Sequence, residues 1–111
     1  MKAVDSIENL QEAIDLSSQQ TVVLFKHSTR CPISAQADEE MAKVEDDYEH
    51  KGVGFGRILV VEHRDVAQAC AEQLGIKHES PQVLVLKNGK VAWHDSHYAI
   101  RYDKLESVLT M

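Results

Sequence analysis

The chain has 111 residues, 43% hydrophobic and 27% charged, enough for one domain with its own core and unlike a disordered or membrane-embedded chain. Twelve basic and 18 acidic residues give a net charge of −6 with no basic stripe, which argues against nucleic acid as a partner. Two cysteines cannot build a disulfide framework, and no apolar run approaches the ~20 residues of a membrane-spanning helix.

Acids at Asp5 and Glu8 fall where a signal peptide has its apolar region. The expected location is therefore cytoplasmic, where thiols stay reduced unless they do redox work. Asp5 or Ser6 can cap a first helix with Ile7, Leu10 and Ile14 on one face. Residues 17–20, Ser-Ser-Gln-Gln, break that pattern. Thr21 to Lys26 is short, β-branched and aromatic, and reads as a buried strand.

The loop Lys26-His27-Ser28-Thr29-Arg30-Cys31-Pro32-Ile33-Ser34 follows. Pro32 suits the first helical position, where a missing N–H costs no intrahelical bond, so Cys31 falls at or beside the N-cap. Ile33, Ala37, Met41, Val44 and Tyr48 recur at helical spacing and are expected to form the core face of a long helix ending at Gly52. The acids at 38–40 and 45–47 then lie on solvated faces.

Phe55 to Val61 reads as a second buried strand. Asp65 can cap a helix bearing Val66, Ala69, Cys70 and Leu74, stopped by Gly75. Gln82 to Lys87 is a third strand, and Asn88-Gly89 is a type I′ hairpin signal returning through Val91 to His94 as the fourth. Asp103 starts a final helix with Leu105, Val108 and Leu109 inward. The crossover helix between the first two strands makes them parallel, and the hairpin makes the last two antiparallel. Residues 1–111 are thus expected to form a single α/β domain, a mixed four-stranded sheet flanked by helices on both faces.

Cys31 is the candidate catalytic residue. A thiolate, not a thiol, is the nucleophile in disulfide exchange, and a helix N-terminus and the neighbouring Arg30 both favour the charged form. The N–H groups of Ser34 and Ala35 and the hydroxyls of Thr29 and Ser34 are candidate donors to the sulfur. A second cysteine three residues on would complete a redox dithiol, but Ser34 occupies that position, so the chemistry rests on one sulfur. Cys70, on an apolar helix face, is expected to pack in the core; a resolving role would require it to come within disulfide reach of Cys31. The six histidines are scattered with no metal-ligand spacing, and no metal site is expected.

The element order with a cysteine at the tip of the first strand, together with Glu79-Ser80-Pro81-Gln82, resembles the thioredoxin superfamily. In that superfamily a cis-proline before the third of these strands faces the active cysteine, and Pro81 sits at the matching place. Thr29-x-Cys31-Pro32-Ile33-Ser34 and Lys77-His78-Glu79-Ser80-Pro81-Gln82 more closely resemble the monothiol bacilliredoxins, along the whole chain. That resemblance implies a thiol–disulfide oxidoreductase that takes bacillithiol from mixed disulfides on client proteins. It implies no tightly bound cofactor and bacillithiol as co-substrate. Recycling would then use bacillithiol or a separate dithiol or flavin reductase. It also points to Ser80, Pro81 and His97 as substrate-binding residues. Two alternatives in sequence terms are a general monothiol glutaredoxin-like reductase and an iron–sulfur cluster carrier using Cys31. A third is a binding domain in which Cys31 is only modified.

Overall fold

The computed structural model describes residues 1–111. In chain order the elements are β1 (Lys2–Ala3), α1 (Ile7–Leu16), β2 (Val22–His27), α2 (Pro32–Tyr48), β3 (Gly54–Leu59), α3 (Arg64–Leu74), β4 (Gln82–Lys87), β5 (Lys90–Ser96) and α4 (Tyr102–Leu109). Short 3₁₀ turns cover Glu49–Lys51 and His97–Ala99.

The sheet order is β1-β3-β2-β4-β5. β1, β3 and β2 run parallel; β4 is antiparallel to β2, and β5 to β4. The sheet has five strands rather than the expected four. The extra strand is two exposed residues at the edge, too short to leave a period-2 pattern. It is held by its neighbour Val4, whose N–H donates to the Arg57 carbonyl at 2.8 Å and whose side chain is buried against Gly56.

The continuous apolar runs of β2 and β4 follow from burial of the sheet on both faces. Their alternate residues divide between two cores. Val22, Leu24, Leu84 and Leu86 join Leu10 of α1 and Val66, Ala67 and Cys70 of α3. Val23, Phe25, Val83 and Val85 join Ala37, Met41, Val44 and Tyr48 of α2 and Leu105 of α4.

Local signals set most boundaries. The Ser6 hydroxyl accepts the Asn9 N–H and caps α1. Asn88 and Gly89 both take positive φ, 54° and 76°, as a type I′ turn requires. Other boundaries differ from the sequence reading by a few residues. The second buried strand is Gly54–Leu59 rather than 55–61, and β5 extends to Ser96. His63, not Asp65, is the N-cap of α3. α4 starts one residue before Asp103, because the Glu40 carboxylate reaches from α2 to accept the Tyr102 N–H at 3.0 Å.

Candidate active site

Strand β2 ends at His27 and α2 begins at Pro32, so the intervening turn carries Cys31 to the end of the sheet. Cys31 is the N-cap of α2, with extended backbone (φ −116°, ψ 121°) and Pro32 directly after it. Its side chain is half-buried and free. Its carbonyl accepts the Ala35 N–H at 3.0 Å, the first bond of the helix. The Ala35 donor is therefore engaged with backbone, contrary to the expectation that it serves the sulfur. The N–H groups of Ile33 and Ser34 remain without a backbone acceptor at the end of α2 where Cys31 stands. Thr29, Arg30 and Pro32 are exposed, and the Arg30 N–H donates to the Ser28 hydroxyl at 3.3 Å.

Ser34 is fully buried, whereas Ile33 is only partly so. This reverses the expected inward face of the first turn of α2: the buried positions run Ser34, Ala37, Met41, Val44 and Tyr48. A hydroxyl can take the inward position because it is fully satisfied there. Ser34 Oγ accepts the Ser28 N–H at 2.9 Å and lies 2.7 Å from His27 Nδ1. Burial pushes His27 below its ordinary pKa, with Asp38, Arg57 and Glu62 as its charged neighbours. A neutral imidazole accepting the Ser34 proton at Nδ1 satisfies both groups. The Ser34 hydroxyl is thus held by the strand beneath the loop and is not offered to the sulfur. His27 also stacks on Phe25, ring centroids 5.3 Å apart.

The second wall is the segment before β4. The Ser80–Pro81 peptide is cis. The Pro81 carbonyl accepts the N–H of His97, which follows β5, at 3.0 Å. His97 takes φ 56°, a left-handed conformation uncommon outside glycine and often found at functional sites. Its Nδ1 lies 3.1 Å from Ser96 Oγ and its Nε2 3.9 Å from Glu79 Oε2. Ser80 Oγ is buried with no hydrogen-bond partner.

Below that wall lies a polar pair that periodicity did not reveal. Lys26 and Gln82 face each other across β2 and β4 and are both buried. Lys26 Nζ donates to His78 Nδ1 at 3.2 Å, and Gln82 Nε2 donates to the Lys77 carbonyl at 3.0 Å. Both bonds tie the 77–80 loop to the sheet. Burial pushes the Lys26 amine down; burial and then Lys26 push His78 down.

Cys70 is fully buried in the α1/α3 core, where burial pushes its thiol pKa up. Both cysteines are free. No three histidine, cysteine or acidic side chains converge on a point that could hold a metal ion.

A family model described as monothiol bacilliredoxin BrxC matches residues 2–105, nearly the whole chain. The chain belongs to the monothiol bacilliredoxin family. A solved protein with a thioredoxin fold superposes with TM-score 0.84 at 30% identity, over 96% of this chain and 90% of that one. Thioredoxin from Fasciola hepatica is similar in fold alone, with TM-score 0.78 at 15% identity over 99% and 97% of the two chains. So is Malassezia sympodialis thioredoxin, with TM-score 0.78 at 21% identity over 99% and 88%. This bacilliredoxin is therefore a monothiol redox protein of the thioredoxin fold. No helix is long and apolar enough to cross a membrane.

Proposed function

We propose that Cys31 removes bacillithiol from mixed disulfides on client proteins. The observation that carries this reading is the pairing of a half-buried thiol at a helix N-cap with a buried, hydrogen-bonded Ser34 where a second thiol would stand. The Cys31 thiolate attacks the bacillithiol sulfur of the client disulfide. A Cys31–bacillithiol disulfide forms, the client S–S bond breaks, and the client leaves as a thiolate that takes a proton from water. No net electrons are gained or lost in the exchange. Ser34 cannot attack the adduct, so release uses a second bacillithiol or a separate dithiol or flavin reductase.

Thr29, Arg30 and Pro32 shape the surroundings of the sulfur. The backbone of Ser80, beside Pro81, pairs with an extended client segment, and His97 flanks the small thiol. The setting is the cytoplasm, where a protein thiol is kept reduced between cycles.

The test is to incubate reduced protein with a bacillithiol-modified client, and in parallel a glutathione-modified one, and read intact masses. Bacillithiol moving to Cys31, lost in Cys31→Ser and disfavoured for glutathione, supports the reading. Equal transfer of both thiols leaves a general monothiol reductase, and transfer of neither overturns the enzymatic reading.

A further inference from the structure

Ser34 Oγ sits inside the turn that carries Cys31, a turn closed by the Cys31 N–H donating to the Ser28 carbonyl at 3.4 Å. A serine hydroxyl has one proton to give and two lone pairs with which to accept. Both kinds of partner are fixed here. The Ser28 N–H, 2.9 Å away, can only donate, so it takes a lone pair. The hydroxyl proton is left for His27 Nδ1, 2.7 Å away, which accepts it as a neutral imidazole. His27 is itself held at the last position of β2, 7% exposed and stacked on Phe25. Its charged neighbours are of both signs: Asp38 of α2, Arg57 of β3, and Glu62 beyond β3.

Cys31 is the N-cap of α2 and Ser34 is the third helical residue. An N-cap side chain characteristically reaches toward that third residue. The Cys31 side chain makes no capping bond, so its sulfur is free to turn that way. A hydroxyl with an uncommitted proton at this place would donate to the thiolate. Such a bond favours the charged form and makes the sulfur a weaker nucleophile.

We infer that His27 is a positioning residue for the exchange reaction: by accepting the Ser34 proton at Nδ1, it withholds that hydroxyl from the Cys31 sulfur and keeps the thiolate a strong nucleophile. His27 acts through Ser34 and touches no substrate. The inference concerns the sulfur alone. Its test uses iodoacetamide, so its failure is separate from any failure of the proposed bacillithiol transfer.

Two experiments decide it. In the first, the rate of Cys31 alkylation is followed against pH. His27→Phe keeps a ring against Phe25 and removes the acceptor. The freed hydroxyl then turns to the sulfur. The midpoint of the profile is expected to move about one unit to lower pH. The rate on the alkaline plateau is expected to fall about threefold, as nucleophilicity follows basicity. Adding Ser34→Ala to His27→Phe is expected to abolish both changes. His27→Asn, whose amide oxygen can take the Ser34 proton, is expected to restore the wild-type profile. A His27→Phe protein that only loses stability, with its profile unmoved, overturns the inference. So does a shift that survives removal of the hydroxyl.

The second experiment uses the wild-type protein and needs no variant to fold. NMR of the histidine ring nitrogens in mildly alkaline solution is expected to show His27 with its proton on Nε2 and a bare Nδ1. A proton on Nδ1 would make Ser34 Oγ an acceptor twice over and leave its own proton free, which overturns the inference.

Discussion

Ser34 places its hydroxyl 2.7 Å from His27 Nδ1, inside the turn that carries Cys31. The position that would hold a second thiol instead ties the first turn of α2 to the end of β2. Ser34→Ala would strip the Ser28 N–H and the His27 ring of this shared partner in a buried site. Loss of about 1–3 kcal/mol of stability is expected, measured as a lower urea midpoint with an unchanged slope.

Ser34→Cys should change how the reaction ends. The introduced thiol would attack the Cys31–bacillithiol disulfide, expelling bacillithiol as a thiolate and closing a bond within the motif. Intact mass should show the adduct vanishing without added reductant, while in the wild type it persists. An adduct equally long-lived in both proteins would contradict this account of why a single sulfur needs outside help.

The two cysteines should separate cleanly in a native alkylation experiment. Cys31 is half-buried, whereas Cys70 is fully buried and burial disfavours its thiolate. Iodoacetamide should add one group at neutral pH, at Cys31, and two only after unfolding. Cys70→Ala should retain bacillithiol transfer while losing about 1–2 kcal/mol of stability through the space it leaves in the α1/α3 core.

Stability should fall on mild acidification. Burial holds both His27 and His78 below their ordinary pKa of 6.5, so the unfolded chain takes up protons before the native one. Their contribution is complete above pH 6.5 and is lost as pH falls from there through the native values. Urea midpoints compared across this window should drop, and His27→Gln together with His78→Gln should flatten the drop. Glu40 acts in a lower window: its carboxyl is depressed from 4.5, so its share is present above 4.5 and lost below it.

Lys26 runs against stability at neutral pH. Its amine is depressed from 10.5 by burial, so the unfolded chain holds the proton more tightly than the native one. Lys26→Met is expected to stabilise the fold at pH 7 by on the order of 1 kcal/mol, with the difference shrinking as pH rises toward 10.5. The same variant releases the His78 contact that ties down the loop before Pro81, so client reduction should slow even as the melting temperature rises.

The sequence alone determined the alternation of helices and strands, the Asn88-Gly89 turn and the helix N-terminus at Cys31. These depend on local chemistry: apolar period, residues that tolerate positive φ, and a proline placed where its missing N–H is harmless. It also carried the two motifs around Cys31 and Pro81 that mark the family. Tertiary structure decided the rest. β1 exists because Val4 packs against Gly56 of β3, a partner some 50 residues away that no local pattern of two residues can announce. Ser34 rather than Ile33 turns inward because His27 and Ser28 wait beneath it. Lys26, the last residue of the strand read from the sequence, is buried as a lysine because Gln82 pairs beside it on β4 and His78 meets its amine from the loop before β4. The cleft lined by Ile33 and Gln36 of α2 and by His97 and Arg101 joins stretches more than 60 residues apart, so its lining appears only once the chain has closed. Burial of polar groups and the convergence of distant side chains depend on long-range packing, which periodicity does not encode.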